Sequence, residues 1–168
     1  MLKTNYILGF GSGVSGAAEA FRFFRLFIVD CISGANAYID EWEVMVDSTA
    51  HPTSNMSGAS SPSPLVASAD STFSSNYPWK AFNGGVGSGS SWIASSATNI
   101  SLKIDLGSGN EIVATGTKIA PRNASDGTLK TFRVEGSNTG NFAGEETVLA
   151  SEVASSGWSA STLREFTF

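Results

Sequence analysis

Short apolar segments separated by polar turns dominate this chain. Residues 100–106 alternate apolar and polar side chains, which is the pattern of a half-buried strand. No window of twelve or more residues has the periodicity of an amphipathic helix. One helical turn is expected at 78–82, because Pro78 suits a first helical position. Further strands are predicted at 21–30, 38–46, 65–68, 112–120, 129–136, 148–153 and 163–168. The pattern predicts an all-β fold, an antiparallel sandwich or barrel.

Individual segments refine this picture. Residues 21–30 are apolar on both faces apart from Arg22 and Arg25, so this strand is expected in the middle of a sheet. Glu41 and Glu43 share a face of the next strand, a pattern typical of a solvated edge. Residues 47–76 form a long, polar surface connection, with the short strand at 65–68 inside it. The glycine–serine stretch 83–91 and the segment 121–127 are predicted as loops.

Composition limits the class of protein. The chain has 168 residues, 41% hydrophobic and 15% charged, which suits one domain with a true core. The formal net charge is -5 and the ten basic residues are scattered, so nucleic acid is not expected as a partner. No apolar run approaches the ~20 residues needed to cross a membrane. Cys31 is the single cysteine, which excludes an internal disulfide, and its apolar context predicts a buried thiol.

The first twenty residues are rich in Gly, Ser and Ala and are predicted as an extended N-terminal arm. Within them, residues 11–16 (GSGVSG) match a dinucleotide-binding fingerprint, and Asp30 lies at a suitable distance to meet a ribose. The stretch after Gly16 is too short for a crossover helix, and no strand–helix alternation follows. A flexible arm is therefore the better interpretation than a nucleotide site.

Catalytic chemistry finds little support in the sequence. His51 is the only histidine and precedes Pro52 in a polar segment, so it is expected to be a solvated loop residue. No Ser-His-Asp or Cys-His set can be assembled, and no spacing resembles a zinc or EF-hand site. We therefore expect a protein that is not an enzyme.

Several motifs together carry a family resemblance. AFNG at 81–84, SSWIAS at 90–95, IDLG at 104–107 and FRVEGSN at 132–138 resemble the discoidin, or coagulation-factor type C, domain of the galactose-binding-like superfamily. In that family, a strand that contains an aromatic-Arg pattern and a strand that contains Glu are usually the last two strands of the domain. The segments 21–28 and 38–46 resemble those two strands but open this chain, and 157–166 resembles the part that normally precedes them. The order resembles the circularly permuted variety in bacteriophage tail and head-appendage proteins.

The resemblance implies a jelly-roll β-sandwich over residues 21–168 that binds sugars on loops at one end. Sugar binding uses aromatic faces and planar polar groups. The candidates are Tyr77, Trp79, Arg122, Asn123 and Trp158. Trp79 could instead pack in the core and Arg122 could be a plain surface charge, while Trp92 matches the family's buried tryptophan. No cofactor is certain.

A structural calcium ion is a further implication of the resemblance. Many bacterial members hold Ca²⁺ near an Ala-Phe-Asp-Gly turn, with help from a Glu of the Glu-containing strand. Glu41 matches that Glu, and Asn83 stands where the family has Asp. The change removes one negative charge and lowers the expected affinity, because a hard cation prefers carboxylate oxygen.

The functional expectation is a non-enzymatic virion protein, exposed to the extracellular medium, that attaches a phage to host-surface glycans. Its expected partners are those glycans, other virion proteins and further copies of itself, with a trimer favoured and residues 1–20 as the docking or trimerising arm. The alternative is a purely structural decoration or connector protein without a sugar ligand.

Overall fold

The computed structural model describes residues 19–87, 89–154 and 156–168. Within these residues the chain forms ten strands and one 3₁₀ helix, Pro78–Phe82. The strands are β1 Phe23–Cys31, β2 Tyr38–Val46, β3 Thr49–His51, β4 Val66–Ala69, β5 Trp92–Ile93, β6 Ile100–Asp105, β7 Gly116–Pro121, β8 Leu129–Ser137, β9 Thr147–Val153 and β10 Arg164–Thr167.

The strands assemble into two sheets. One sheet has the order β4-β6-β1-β8-β9, and the other has the order β10-β7-β2-β3 with β5 paired to β2. Each pairing between these strands is antiparallel. The predicted all-β antiparallel sandwich is confirmed, and so is the central position of β1. The jelly-roll connection and the circular permutation stay predictions.

Strand β1 shows why this sequence makes a sandwich. Phe24, Leu26 and Ile28 are fully buried, whereas Phe23 and Phe27, which point to the other face, are half-buried. Side chains along a strand alternate between the two faces, so every second residue enters the space between the sheets. Each such apolar side chain contributes about 1.5–3 kcal/mol when fully buried.

Aromatic residues fill the core at two places. The rings of Trp42 and Phe82 lie 5.5 Å apart, so the 3₁₀ helix packs against β2. Trp92 is fully buried, as the resemblance implied.

The predicted burial of Cys31 is also confirmed, and this burial raises the pKa of its thiol to about 12.

Strand β2 departs from expectation in its position within the sheet and in the burial of Glu41. It lies between β7 and β3, and Glu41 is only 5% exposed, so the interpretation of a solvated edge was wrong. The reason is a β-bulge: Ile39 pairs with Pro121 and Glu41 with Ala120, which leaves Asp40 as an extra residue. The bulge lets the adjacent Asp40 and Glu41 both bond the glycine-rich loop 83–91.

Two N-terminal predictions mostly fall outside the described residues. The fingerprint at 11–16 lies there entirely, and so do residues 1–18 of the predicted arm. Asp30, assigned to that fingerprint, lies in β1, and its Oδ2 is 3.3 Å from Nζ of Lys130.

Candidate functional site

The two ends of the sandwich carry different surfaces. Strand β2 starts, and β7 ends, at one end, which also holds the loop before β8. At the opposite end lie the end of β3, the start of β4 and the segment after β6. We name the cavity at the first end the Arg122 cleft and the cavity at the second end the His51 cavity.

The Arg122 cleft has a volume of about 470 Å³. It is lined by Tyr38, Phe73, Asn76, Ile93, Arg122 and Asn123. Four separate parts of the chain therefore meet there: the start of β2, the segment 73–76, β5, and the first residues after β7. The structure brings the predicted Arg122 and Asn123 together in this cleft.

Hydrogen bonds hold the cleft walls in place. The backbone N–H of Phe73 donates to the carbonyl of Ile93 at 2.7 Å, and the side-chain amide of Asn76 donates to the carbonyl of Phe73 at 3.0 Å. On the opposite wall, the hydroxyl of Thr128 donates to the carbonyl of Asn123 at 2.6 Å. Both loops are thus fixed to the rigid sandwich, the usual arrangement for binding loops.

Phe73 was missed by the sequence analysis. Its side chain is 52% exposed, although exposure of a large aromatic residue is unfavourable without a partner. The signal was present in the sequence: Phe73 is a lone aromatic residue in the polar stretch 71–76. Its ring gives the cleft an open apolar face.

The three aromatic residues that were predicted to bind the sugar lie at different places in the fold. Tyr77, 51% exposed, comes just before the 3₁₀ helix and is next in sequence to Asn76, but it does not line the cleft. Trp79 is half-buried against the core. Trp158 is 7% exposed and its ring centroid lies 5.7 Å from that of Phe166, so neither ring face is open to a sugar.

Glu41 and Asn83 are close together, as the resemblance implied, but their oxygens already accept hydrogen bonds. Glu41 Oε2 accepts the backbone N–H of Gly84 at 3.0 Å, and Asn83 Oδ1 accepts that of Gly85 at 2.8 Å. Burial raises the pKa of Glu41 to about 8, against the opposing effect of these N–H donors. Each of these two oxygens therefore already accepts an N–H group, and among the described residues no third His, Cys, Asp or Glu joins them in a group placed to hold a metal ion.

Asp40 is a second buried carboxylate that the sequence analysis did not single out. Its Oδ1 accepts the hydroxyl of Ser91 at 2.6 Å. Its Oδ2 accepts the hydroxyl of Ser161 at 2.8 Å and the backbone N–H of Gly87 at 3.1 Å. The carboxylate therefore ties loop 83–91 and the C-terminal segment to β2.

The His51 cavity is smaller, at about 280 Å³. Its walls come from 51–54, 62–65 and 110–112, together with Leu106. His51 is half-buried at the end of β3 and not in a solvated loop, and burial lowers its pKa. The imidazole is therefore mostly neutral at pH 7. The walls contain no Phe, Tyr or Trp, so this cavity lacks the flat apolar face that the Arg122 cleft has.

Among residues 19–87, 89–154 and 156–168, no group of three or more His, Cys, Asp and Glu side chains is placed to hold a metal ion. No helix in this part of the chain is long and apolar enough to span a membrane.

No protein-family model matches the chain, and no curated protein matches it significantly in sequence. The discoidin resemblance therefore rests on the motifs alone.

Proposed function

We propose that this protein is a non-enzymatic carbohydrate-binding protein and that the Arg122 cleft is its sugar site. The observation that carries the proposal is the combination, in one cleft, of an exposed aromatic ring with an exposed guanidinium. Phe73 offers a face for the C–H side of a sugar ring, and Arg122, Asn76 and Asn123 offer planar groups for hydroxyls.

The virion assignment is part of the same proposal. We propose that the protein belongs to a bacteriophage particle and attaches it to host-surface glycans as a homo-oligomer, with a trimer favoured. The supporting feature is the order of the discoidin-like motifs, because the two strands that are usually last in that family come first in this chain. β1 lies between β6 and β8, and β2 lies between β7 and β3, so both occupy the interior of their sheets. A single shallow cleft would bind weakly, and several copies displayed together would raise the avidity.

A glycan-array screen of the purified protein, with and without Ca²⁺, tests the sugar proposal. Arg122→Ala and Phe73→Ala remove one cleft group each, while Lys103→Ala, on β6, removes one charge away from the cleft. The proposal expects specific binding that both cleft variants lose and the Lys103 variant keeps. Binding that survives both cleft variants would place the site elsewhere. No binding to any glycan by the folded protein would refute the proposal.

The alternative, a structural virion component, has an observation of its own. β9 is the last strand of its sheet, and its Val148 and Val153 are 52% and 74% exposed. An edge strand with exposed apolar residues can pair with another chain. Sedimentation analysis of the wild-type protein and of a Val148→Lys, Val153→Lys double variant tests this alternative. It expects a wild-type oligomer that dissociates in the double variant and that binds no glycan on the array. A monomer, or specific glycan binding, contradicts this alternative.

A further inference from the structure

We propose that the Arg122 cleft selects saccharides that carry a carboxylate, such as uronic-acid or sialic-acid sugars, over neutral ones. This inference rests on the proposed function and adds the chemical class of its ligand. It follows from the unpaired side chain of Arg122 among the described residues, not from the family resemblance.

Arg122 differs from the other arginines in lacking a partner. Among the described residues, its side chain makes no ion pair, hydrogen bond or ring contact, although it lies in a cleft. The other four arginines all have partners: Arg22 pairs with Asp105, Arg25 and Arg133 with Glu135, and Arg164 with the carbonyl of Ser156. The chain has fifteen acidic residues for ten basic ones, so a free guanidinium does not result from a shortage of carboxylates.

The cleft lining also has no negatively charged side chain that could neutralise Arg122. None of its six lining residues is acidic, and Arg122 is the cation among them. The nearest acidic residue in sequence, Asp126, has its carboxylate beside Gly34 rather than in the lining. The cleft is therefore a locally positive site on a protein with a net charge of -5. Such a site attracts an anionic group that the rest of the surface repels.

The guanidinium geometry indicates which anion fits. Its planar, parallel N–H groups match the two coplanar oxygens of a carboxylate and form a bidentate, charge-assisted pair. Around it, Asn76 and Asn123 can hydrogen-bond hydroxyl groups, and Phe73 can cover the apolar side of a sugar ring. A carboxylated sugar uses all of these groups at once, whereas a neutral sugar leaves the charge of Arg122 unmatched.

Calorimetric titration with matched ligands tests the inference. The probes are galacturonic-acid oligosaccharides and sialyllactose, each compared with its carboxylate methyl ester, which has nearly the same shape without the charge. At low salt, we expect the wild-type protein to bind an acid form about 10- to 100-fold more tightly than its neutral counterpart. The preference should weaken as salt increases, because the charge of this exposed site is screened.

Two variants of Arg122 test whether the preference for the acid depends on the planar guanidinium group. Arg122→Gln should abolish the preference for the acid, and Arg122→Lys should keep only part of it, because an ammonium is a point charge. Thermal unfolding of both variants should match that of the wild-type protein, since the side chain is exposed and without a partner.

Each outcome separates this inference from the proposed function. Equal affinity for the acid and its ester, or tighter binding of the ester, overturns the inference while the sugar site stands. An acid preference that persists in Arg122→Gln also overturns it. Failure of both acidic and neutral saccharides to bind overturns the inference together with the sugar site.

Discussion

The hydroxyl of Ser161 donates a hydrogen bond to Oδ2 of Asp40 at 2.8 Å, joining positions 121 residues apart in the chain. Asp40 is the extra residue of the β2 bulge and is 1% exposed. A buried carboxylate is costly unless donors satisfy its oxygens. Here the donors come from loop 83–91 and from the segment before β10, so the hydrogen bonds of this buried carboxyl group fix both to the sandwich.

The first prediction concerns this carboxylate. Asp40→Asn replaces one acceptor oxygen by an amide N–H, so the hydroxyl of Ser91 or Ser161 must turn to accept, or the bond from the N–H of Gly87 is lost. We expect the free energy of unfolding to fall by about 2–4 kcal/mol, as measured by chemical denaturation. Asp47→Asn, the same change at an exposed position, should stay within about 0.5 kcal/mol of wild type. Equal effects of the two substitutions would contradict the role assigned to Asp40.

The second prediction is a pH dependence from Glu41. Burial raises its pKa from 4.5 to about 8, so the folded state holds a proton that the unfolded state has lost between these values. The stability contributed by protonated Glu41 is complete below about pH 4.5 and is lost as the pH rises towards 8, by ~1.4 kcal/mol per pH unit.

Glu41→Gln isolates this effect, because the amide oxygen of Gln can still accept the N–H of Gly84. We expect the stability of the wild-type protein relative to this variant to fall steadily between pH 4.5 and 8 in urea denaturation. A relative stability that is independent of pH across this window would show that the pKa of Glu41 is not raised.

The third prediction separates two aromatic residues that the sequence analysis treated alike. Trp158 packs against Phe132 and Phe166, and its indole N–H donates to the carbonyl of Ala154 at 2.8 Å. Trp158→Ala should lower the free energy of unfolding by about 3–5 kcal/mol. Tyr77→Ala, at an exposed position, should change it by less than about 0.5 kcal/mol. Guanidinium denaturation measures both, and a small effect at Trp158 would contradict its place in the core.

The fourth prediction concerns Gly127, in the loop that precedes β8. Its φ is +66°, and an added Cβ would overlap the ring of Tyr38 and lie 2.5 Å from the carbonyl oxygen of Asn36. Gly109 has a similar φ of +85° with no neighbour within 4 Å of an added Cβ. Gly109→Ala should therefore report backbone strain alone, about 1–2 kcal/mol.

Gly127→Ala should cost a further 1–3 kcal/mol, roughly, because of the steric overlap. Since Tyr38 lines the Arg122 cleft, this variant should also weaken sugar binding, whereas Gly109→Ala should not. Thermal unfolding and calorimetric titration of the two variants check this prediction. Indistinguishable stability of the two would contradict the prediction, because it would mean that both Tyr38 and the backbone of Asn36 move aside at no cost.

Strand positions could be predicted well where apolar residues are dense. The predicted strands at 38–46 and 129–136 correspond to Tyr38–Val46 and Leu129–Ser137. By contrast, Thr49–His51 was assigned to a polar connection, because three residues are too few to show alternation. The predicted segment 112–120 also began too early, since β7 starts at Gly116.

The candidate site was predicted only in part. Arg122 and Asn123 are neighbours in sequence and share the cleft, so a local argument was enough to group them. Phe73 and Asn76 reach the same cleft from a segment some fifty residues earlier, held there by hydrogen bonds to β5. Nothing in the local sequence could place them beside Arg122, because that contact depends on how the strands are ordered.

The sequence by itself determined the all-β class, most strands and the burial of Cys31, because alternation and apolar density are local properties. The burial of Trp92 was expected from the family resemblance. The tertiary structure alone decided that Trp158 is buried, that the bulge at Asp40 directs two carboxylates to one loop, and that Arg122 lacks a carboxylate partner among the described residues. Each of these depends on which distant segments pack together. Exposure and charge pairing are set by the whole fold, so they are fixed only when the two sheets meet.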